Sequence, residues 1–573
     1  MRLRARLKAL AEDRSGAVLV YVGLTLAALL GVGALAVDGA QMYVTKTRLQ
    51  VVADAAALAA AQELPDKAKA TAAALGVAEA NMPSAQNGAV LSAADLQFGV
   101  WNPDTRTFTA GGTANAVRVL AGRTSARSNP LPLTLASVFG STFADVSAQS
   151  VGLKRMVEIA LVLDNTGSMK DGGKIEALRK ASEDFLDIVY EKANGGVKVA
   201  VVPYVASVNI KAPGAFDYAW MVEGGPKNAT VSDPWGVGNL AEVSAGSAAK
   251  WEGDNFTASS AAMRVNPWSL FEKMKVAWKG CVEARPEPYD TEDTAPASID
   301  TRWAPYLWPD EVTPDASTNN YILDDVNGSA TAQGFKDGSK WAQLQADTAK
   351  YARDLRVKVK NQNAIQETGG MNVSTYGPNK SCGDPIQPLT TDKGVVADKV
   401  RNMVPWHNGG TVTSEGLFWG WAVLSPTAPF TEGAPYNADR VKKIAVIMTD
   451  GDNLIFDGEN PPPNSKEGGN KDSANKSDYG AWGYMAKNRL GTTSPGAGKA
   501  KINAKMLKIC DNMKAKGIEV YTIILQVPDK DAKDTFRKCA TREDMYYDAG
   551  SNNAMKDAFK EIAKRIGELR LVS

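Results

Sequence analysis

The stretch ALVLDNTGSMKDGGKIEALRK, Ala160–Lys180, joins an apolar run to an amphipathic segment through a loop rich in oxygen-bearing side chains. The run that leads into the loop is apolar and β-branched, as in a buried strand. The segment after it has apolar residues at helical spacing. Between the two, Asp164, Thr166 and Ser168 stand at every second position. The stretch therefore predicts a strand, a tight polar loop and a helix.

The same alternation of apolar runs and amphipathic segments continues to the end of the chain. The later candidates are the strand VKVAVVPYV, the helix SEGLFWGWAVL, the strand KKIAVIMTDG, the helix AKMLKICDNMKAKG, the strand IEVYTIILQV and the helix NNAMKDAFKEIAKRIGELR. Strands that are apolar throughout and alternate with helices are typical of a parallel sheet covered on both faces. We therefore expect an α/β fold with a doubly wound parallel sheet over residues 154–573.

Two insertions interrupt this pattern, at about 210–404 and 452–499. The first is rich in tryptophan, with eight indoles that are too costly to leave in water, so we expect it to fold and pack. These are Trp220, Trp235, Trp251, Trp268, Trp278, Trp303, Trp308 and Trp341. The second insertion is polar and rich in glycine and proline, which predicts a loop.

The start of the chain predicts a membrane anchor. A basic segment, residues 1–16, precedes the run Ala17–Val37, which contains no charged residue. About 20 apolar residues are what a helix needs to cross a hydrocarbon layer of about 30 Å. A cleaved signal peptide is the alternative, because the ALA at Ala34–Ala36 resembles a cleavage site. We favour a transmembrane helix over residues 17–37, since the run exceeds an ordinary signal sequence, and the basic flank leaves the rest of the chain outside the cytoplasm.

Residues 38–153 predict a stalk and a small module. The alanine-rich stretch Asp38–Leu64 favours one helix continuing outward from the membrane. The later segments LQFGVW, TFTA and NAVRVLAGR are strand-like, and LPLTLASVFG suggests a short helix. We expect a small α+β module here.

Composition excludes several classes of function. The chain has 65 Lys and Arg against 64 Asp and Glu, so no basic field indicates nucleic acid as a partner. Its one histidine, His407, rules out a histidine-rich metal site, and its four cysteines form no C-x-x-C pair.

In an oxidising compartment the four cysteines suggest disulfides, for which three connectivities exist. We favour Cys510 with Cys539 and Cys281 with Cys382, because each pair would lie within one predicted region; free buried thiols are the alternative.

Three predicted strand or loop ends supply oxygen ligands for a metal. Asp164, Thr166 and Ser168 follow one strand, Asp450 follows another, and Thr411 lies in a glycine-flanked loop before a helix. Loops at the carboxyl ends of parallel strands converge, and hard oxygen donors suit Mg²⁺ above all, with Mn²⁺ or Ca²⁺ as alternatives. Each motif alone also fits an ordinary turn or helix cap. Thr413 is a competing hydroxyl that we expect to be an N-cap instead.

An Asp-x-Thr-x-Ser loop, a distant Gly-Gly-Thr and a strand ending in Thr-Asp-Gly resemble the metal-ion-dependent adhesion site of von Willebrand factor A domains, with Thr166 where serine is more usual. The resemblance covers about Met156 to Ile566, without the insertions. It implies a Rossmann-like fold and a divalent cation held by Asp164, Thr166, Ser168, Thr411 and Asp450. It also implies an open coordination position for a carboxylate from a partner protein.

The segment RSGAVLVYVGLTLAALLGVGALAVDGAQMYVTKTRLQVVADAAALAAA resembles the amino terminus of TadE/TadG-like proteins of the Flp (tight adherence) pilus system. FGVWNPDTRTFTAGGTANAVRV, CDNMKAKGIEVYTIIL and RKCATREDMYYDA are also similar to TadG-type members. Minor pilins of this group are expected to carry glutamate five residues after a processed glycine. Tyr21 stands there after Gly16, which favours a permanently anchored protein.

The sequence thus predicts a single-pass inner-membrane protein, mostly periplasmic, that helps to assemble a pilus by binding a protein partner through its metal site. A cell-surface adhesin that uses the same site is the alternative, and a metal-dependent hydrolase is a third option. We expect no enzyme, because the sequence offers no convincing base or nucleophile.

GTTSPGAGKA, Gly491–Ala500, resembles a phosphate-binding loop but lacks its spacing and its Ser or Thr. DGDNLIFDGEN lacks the required positions of a calcium loop.

Overall fold

The computed structural model divides the chain into two compact units, residues 1–155 and 156–573. The predicted boundary at 153/154 lies close to this division. The structure describes residues 15–102, 105–112, 114–154, 156–193, 196–214, 216–221, 250–252, 255–257, 271, 276–308, 319, 321, 369–371, 377–407, 409–438, 440–455, 479–485 and 488–568. Residues 1–14 of the predicted basic segment and the tryptophans Trp235, Trp268 and Trp341 lie outside the described residues, as does the side chain of Trp251.

The first unit begins with one long helix. Helix α1 spans Ser15–Gln62, and it is followed by α2, Lys67–Asn81, and by a single turn, α3, Ser84–Asn87. Among the described residues, α1 is the one helix long and apolar enough to cross a membrane. It ends at Gln62, and Asp66 then caps α2 by accepting hydrogen bonds from the backbone of Ala68 and Lys69. The predicted stalk is therefore continuous with the apolar run.

A four-stranded antiparallel sheet packs against α1. Its strands are β1 Leu96–Asn102, β2 Thr107–Ala110, β3 Ala116–Arg123 and β6 Val146–Leu153, in the order β2-β1-β3-β6. Strands β4, Leu131–Pro132, and β5, Phe143–Ala144, form a separate short hairpin. Small side chains such as Ala53, Ala57 and Ala61 on α1 pack with Val117 and Val119 of the sheet. The predicted α+β module is thus present, although LPLTLASVFG holds only one 3₁₀ turn, Ala136–Phe139.

The second unit is built on a six-stranded sheet. Its strands are β7 Met156–Asp164, β8 Val197–Tyr204, β13 Gln387–Thr390, β15 Val441–Thr449, β19 Glu519–Leu525 and β20 Tyr546–Ala549, in the order β13-β8-β7-β15-β19-β20. Edge strand β13 is antiparallel to its neighbour, and the other pairings are parallel.

Short strands occupy the connections between these elements. They are β9 Val208–Asn209, β10 Lys250–Glu252, β11 Asn255–Thr257, β12 Cys281–Val282, β14 Gly410–Thr411, β16 Leu454–Ile455, β17 Tyr479–Gly480 and β18 Gly483–Tyr484. Each pairs in a two-stranded ladder: β9 with β12, β10 with β11, β14 with β16 and β17 with β18.

Helices pack on both faces of the six-stranded sheet. They are α4 Lys174–Ala193, α5 Lys393–Arg401, α6 Thr413–Leu424, α7 Pro495–Ala515, α8 Lys530–Cys539 and α9 Asn552–Glu568. Alternate residues of a strand point to opposite faces, so Leu161 packs with α4 and α9 while Val162 packs with α6 and α7. This double burial explains why the central strands are apolar over most of their length. The α/β class and the N-terminal apolar helix predicted from sequence are confirmed.

The described part of the tryptophan-rich insertion packs as predicted. Trp303 and Trp308 are almost fully buried, and the Trp303 ring lies 4.9 Å from that of Trp419 on α6.

Two disulfides, Cys281–Cys382 and Cys510–Cys539, match the favoured pairings. The first joins distant parts of the insertion, and the second joins α7 to α8. Helix α7 begins at Pro495, so the last residues of the second predicted insertion are helical.

Candidate functional site

The site begins where two neighbouring parallel strands end. Strand β7 ends at Asp164, and β15 ends at Thr449, one residue before Asp450. The register pairs Leu163 with Met448, so both chains leave the sheet side by side. The Thr449 hydroxyl donates to Asp164 Oδ2 over 2.8 Å. The sheet topology thus brings together two acidic loops that are almost 300 positions apart in the sequence.

A chain of short contacts links the predicted donors of these two loops. Asp164 Oδ1 accepts a hydrogen bond from the backbone N–H of Thr166 over 2.8 Å, which shapes the tight loop. The hydroxyls of Thr166 and Ser168 lie 3.1 Å apart. Ser168 then donates to Asp450 Oδ1 over 2.6 Å. Four of the five predicted donors therefore form one cluster.

The fifth predicted donor, Thr411, is held beside this cluster by its own backbone. Strand β14 pairs with β16 just after Asp450, with Thr411 opposite Leu454. The Trp406 N–H donates to the Asn165 carbonyl over 2.7 Å, which ties the preceding segment to the first loop. A Cβ placed on Gly451 would lie 4.0 Å from Thr411 Oγ1, so this hydroxyl faces the Asp450 loop. Within the described part of the chain, it has no hydrogen-bond partner.

Three further side chains at the site escaped the sequence analysis. Lys174, the first residue of α4, places its ammonium 2.8 Å from Asp450 Oδ2. Tyr204, at the end of β8, lies with its hydroxyl 3.4 Å from Asp164 Oδ2 and donates to the Met448 carbonyl over 3.0 Å. Thr449 is the third. Thr449 adjoins Asp450 in the sequence, and this position was an available signal, whereas Lys174 and Tyr204 are brought to the site by packing between elements.

The electrostatics of the cluster favour the uptake of positive charge. Asp164 is fully buried, and burial together with the negative charge of Asp450 raises the pKa of Asp164 to about 7. Two carboxylates that share a site disfavour each other's ionised form. A cation between them would relieve this repulsion, and the Lys174 ammonium already does so in part at Asp450 Oδ2.

The neighbouring candidates Thr413 and His407 are occupied elsewhere. The backbone N–H and hydroxyl of Thr413 both donate to Asn453 Oδ1, over 2.8 and 2.7 Å. Thr413 is the first residue of α6 and Val412 is the N-cap, so the N-cap prediction for Thr413 is wrong. His407 Nε2 lies 3.1 Å from the Gly370 carbonyl oxygen, and the ring borders Gly167 at the edge of the site. Neither side chain competes with Thr411.

The donor set fits a hard divalent cation. In the part of the chain that the structure describes, no three His, Cys, Asp or Glu side chains are grouped to hold a metal, so a cation here would depend on hydroxyl oxygens beside two carboxylates. Asp164, Thr166, Ser168, Asp450 and the unpartnered Thr411 hydroxyl supply that mixture. Oxygen-only donors are those that Mg²⁺ prefers, and Mg²⁺ completes its shell with water.

The stretch that resembles a phosphate-binding loop has a structural role. Residues 495–500 form the start of α7 rather than a loop after a strand. Lys499 makes ion pairs with Asp452 and Asp529, at 2.9 and 2.8 Å. Its ammonium is therefore committed to two carboxylates of the chain.

The architecture and the site together define an α/β protein with an N-terminal apolar helix and a cluster of oxygen donors at the carboxyl end of its sheet. Residues 16–63 match the family described as putative Flp pilus-assembly TadE/G-like, and residues 55–151 match the putative Tad-like Flp pilus-assembly family. The resemblance to TadE/TadG-like proteins is thereby confirmed over residues 16–151. Neither is a family of enzymes. Among curated proteins, none matches the chain.

Several solved pilus proteins share a distant likeness with the chain. The pilus adhesin SpaC from Lactobacillus rhamnosus GG is 12% identical, with 80% of this chain and 35% of SpaC covered and a TM-score of 0.28. The chain thus spans about a third of the length of SpaC. The vWF domain of the type V pili tip protein Mfa5 from Porphyromonas gingivalis is 10% identical, with 73% and 97% covered and a TM-score of 0.30. The pilus adhesin RrgA from Streptococcus pneumoniae is 10% identical, with 78% and 46% covered and a TM-score of 0.28. At these scores the likeness carries no argument.

Proposed function

We propose that the second unit is a von Willebrand factor A domain whose metal site binds a carboxylate of a protein partner during pilus assembly. The observation that carries this proposal is the convergence of five predicted oxygen donors from three separate segments at one edge of the sheet. Asp164, Thr166, Ser168, Thr411 and Asp450 would hold the cation. A bound Mg²⁺ supplies a coordination position that an incoming carboxylate can take in place of water.

The chain's own residues prepare the site for such a contact. The Thr449 and Tyr204 hydroxyls contact Asp164 Oδ2. Ser168 is an exposed residue whose hydroxyl donates to Asp450. A fully buried acid beside an exposed residue that bears a hydroxyl is the arrangement expected where one side of a cation is closed by the protein and the other stays open.

The family match of the first unit supports the cellular location that we propose for this metal-dependent binding. A helix able to cross a membrane and two pilus-assembly matches support a protein anchored in the inner membrane with its bulk in the periplasm. Protease treatment of intact cells tests this placement. An assembly factor behind the outer membrane should resist, whereas the alternative, a surface adhesin, should be cleaved.

Metal binding is tested directly by calorimetric titration of the detergent-solubilised chain with Mg²⁺ and Mn²⁺. We expect one site per chain, weakened by at least about 10-fold in Asp164→Ala and Asp450→Asn, because even residues that only support metal ligands cost this much when removed. Asp452→Asn is the matched control, since Asp452 lies in the same loop but pairs with Lys499. Equal affinity in all four proteins would refute the site.

Partner binding is tested by recovery from membranes. A tagged wild-type chain should retain a partner in Mg²⁺ and release it with chelator, and Asp164→Ala should retain little under either condition. A partner that is recovered equally in every case would leave the site without a binding role.

A further inference from the structure

A charge-free hairpin in the first unit lies beside the end of the apolar run. The stretch LPLTLASVFGSTFA, Leu131–Ala144, contains no charged residue. Its ends pair as β4 and β5, with Pro132 opposite Phe143, and the Leu133 N–H donates to the Thr142 carbonyl over 3.0 Å. We call this stretch the apolar hairpin.

Asp38 holds the apolar hairpin at one level of helix α1. Its carboxylate accepts hydrogen bonds from three successive backbone N–H groups, those of Thr134 at 2.9 Å, Leu135 at 3.1 Å and Ala136 at 2.6 Å. The Asp38 side chain is buried by this contact. Asp38 is also the first charged residue after the apolar run Ala17–Val37. The hairpin is thus attached where the helix would leave the hydrocarbon layer.

The surface at this level is apolar and exposed. Phe143 at the hairpin end is 59% exposed, and Val37 and Tyr43 on α1 are 51% and 75% exposed. Tyr43 stands five residues beyond Asp38, about 8 Å along a helix, which is about the depth of the headgroup layer. Exposed tyrosine at that depth is typical of membrane interfaces.

We propose that the apolar hairpin dips into the outer leaflet of the membrane that α1 crosses, as a second contact between the first unit and the lipid. The partner is the lipid surface itself, recognised by apolar burial rather than charge. The nearest basic residue before the hairpin, Arg127, is committed to Asp95. Zwitterionic lipid should therefore suffice, and salt should have little effect. This inference depends on the membrane anchor of the proposed function.

Environment-sensitive labels on the full chain in phospholipid nanodiscs test the inference. A thiol-reactive nitrobenzoxadiazole dye is placed at Phe143→Cys and, in a second variant, at Thr142→Cys. Both positions are exposed, so neither substitution removes a buried side chain. The four native cysteines are paired and leave the new thiol as the reactive one. Quenching is measured with aqueous iodide and with lipids that carry a shallow nitroxide.

Two control positions make the outcomes distinct. Leu120→Cys labels another exposed apolar residue of the same unit. Leu120 pairs with Gln149, whose carbonyl accepts from Gln50, and Gln50 lies about 18 Å along α1 from Asp38. Leu29→Cys labels the apolar run itself.

We expect labels at 142 and 143 to be quenched by the nitroxide lipid and several-fold less by iodide than the label at 120. Iodide quenching equal to that at 120 would overturn the inference. Shielding from both quenchers would also overturn it, because a protein would then cover the hairpin. A label at 29 that is open to iodide would instead refute the anchor itself.

Discussion

Lys174 makes an ion pair with one of the two acids of the candidate site. Its ammonium lies 2.8 Å from Asp450 Oδ2, and the side chain is 15% exposed, so solvent screens the pair only in part. The same carboxylate receives the Ser168 hydroxyl on its other oxygen. The lysine therefore balances one of two neighbouring acids and also places a positive charge next to the position a divalent cation would take.

Replacement of Lys174 by methionine should strengthen metal binding. The change keeps the length of the side chain but removes the like charge, and we expect the affinity for Mg²⁺ to rise by about 10-fold, about 1.4 kcal/mol. Lys174→Arg keeps the charge and serves as the control, with affinity close to wild type. Calorimetric titration gives both values. A weaker site in Lys174→Met would mean that the lysine acts mainly by positioning Asp450.

At the scale of elements, helix α6 lies unusually close to the sheet beneath the site. A Cβ on Gly416 would lie 2.6 Å from the ring of Tyr204 and 3.1 Å from Val162 Cγ1. Both neighbours are fully buried and cannot move freely. Glycine is therefore required at this helical position by packing, although alanine is intrinsically the better helix former by about 1 kcal/mol.

Gly416→Ala should destabilise the second unit because overpacking outweighs helix propensity. A forced methyl group in a packed core costs about 1–3 kcal/mol. After the helix-propensity gain of about 1 kcal/mol, we expect a net loss of up to about 2 kcal/mol in urea unfolding followed by tryptophan fluorescence. Displacement of Tyr204 should also weaken Mg²⁺ binding. Gly496→Ala, on α7 where the added carbon meets nothing closer than 3.8 Å, should leave Mg²⁺ binding unchanged and leave stability equal or higher by up to about 1 kcal/mol. Equal stability of the two variants would contradict this account of α6.

The central elements could be predicted from sequence, whereas the edges could not. Strands β7, β8, β15 and β19 are apolar over most of their length because helices cover both of their faces, and this double burial can be read from the sequence as an apolar run. Edge strands β13 and β20, with the sequences QPLT and YYDA, are short and partly polar. They carry no such signal, because an edge strand has only one neighbour in the sheet.

At the site, too, residues in a local sequence motif could be predicted, whereas residues brought in by packing between elements could not. Motif spacing pointed to Asp164 and Asp450 because Asp164 ends one apolar strand and Asp450 directly follows another. Lys174 and Tyr204 reach the site only through packing between elements, which no spacing rule records. The N-cap prediction for Thr413 failed because Asn453, forty positions later, accepts both of its donors.

At the scale of the whole molecule, the tryptophan-rich insertion packs against helices α6 and α7 of the second unit through a buried cluster of charged residues. Glu415 on α6 is 2% exposed. It lies among Asp290 and Arg285 of the insertion and Lys505 of α7, and Lys505 pairs with Asp290. Burial first, and then the charge of Asp290, raises the pKa of Glu415 to about 8, against the opposing effect of the nearby cations. The acid is thus held protonated at neutral pH.

This raised pKa predicts how stability depends on pH. In the unfolded chain Glu415 loses its proton near its ordinary pKa of 4.5, whereas in the folded protein it keeps the proton to about pH 8. Between these values the folded state binds one more proton, so the free energy of unfolding falls as pH rises, by up to about 1.4 kcal/mol per pH unit. Below pH 4.5 both states are protonated and the effect vanishes.

Glu415→Gln should remove this pH dependence, because glutamine has nearly the shape of the protonated acid and does not titrate. The difference in unfolding free energy between variant and wild type, measured by urea unfolding at several pH values, should be small near pH 4.5. It should then grow in favour of the variant up to about pH 8 and level off above it. Glu432→Gln, a change at an exposed acid of the same unit, should show no such trend. A difference that stays constant with pH would mean that Glu415 is ionised in the folded protein and paired with the cations around it.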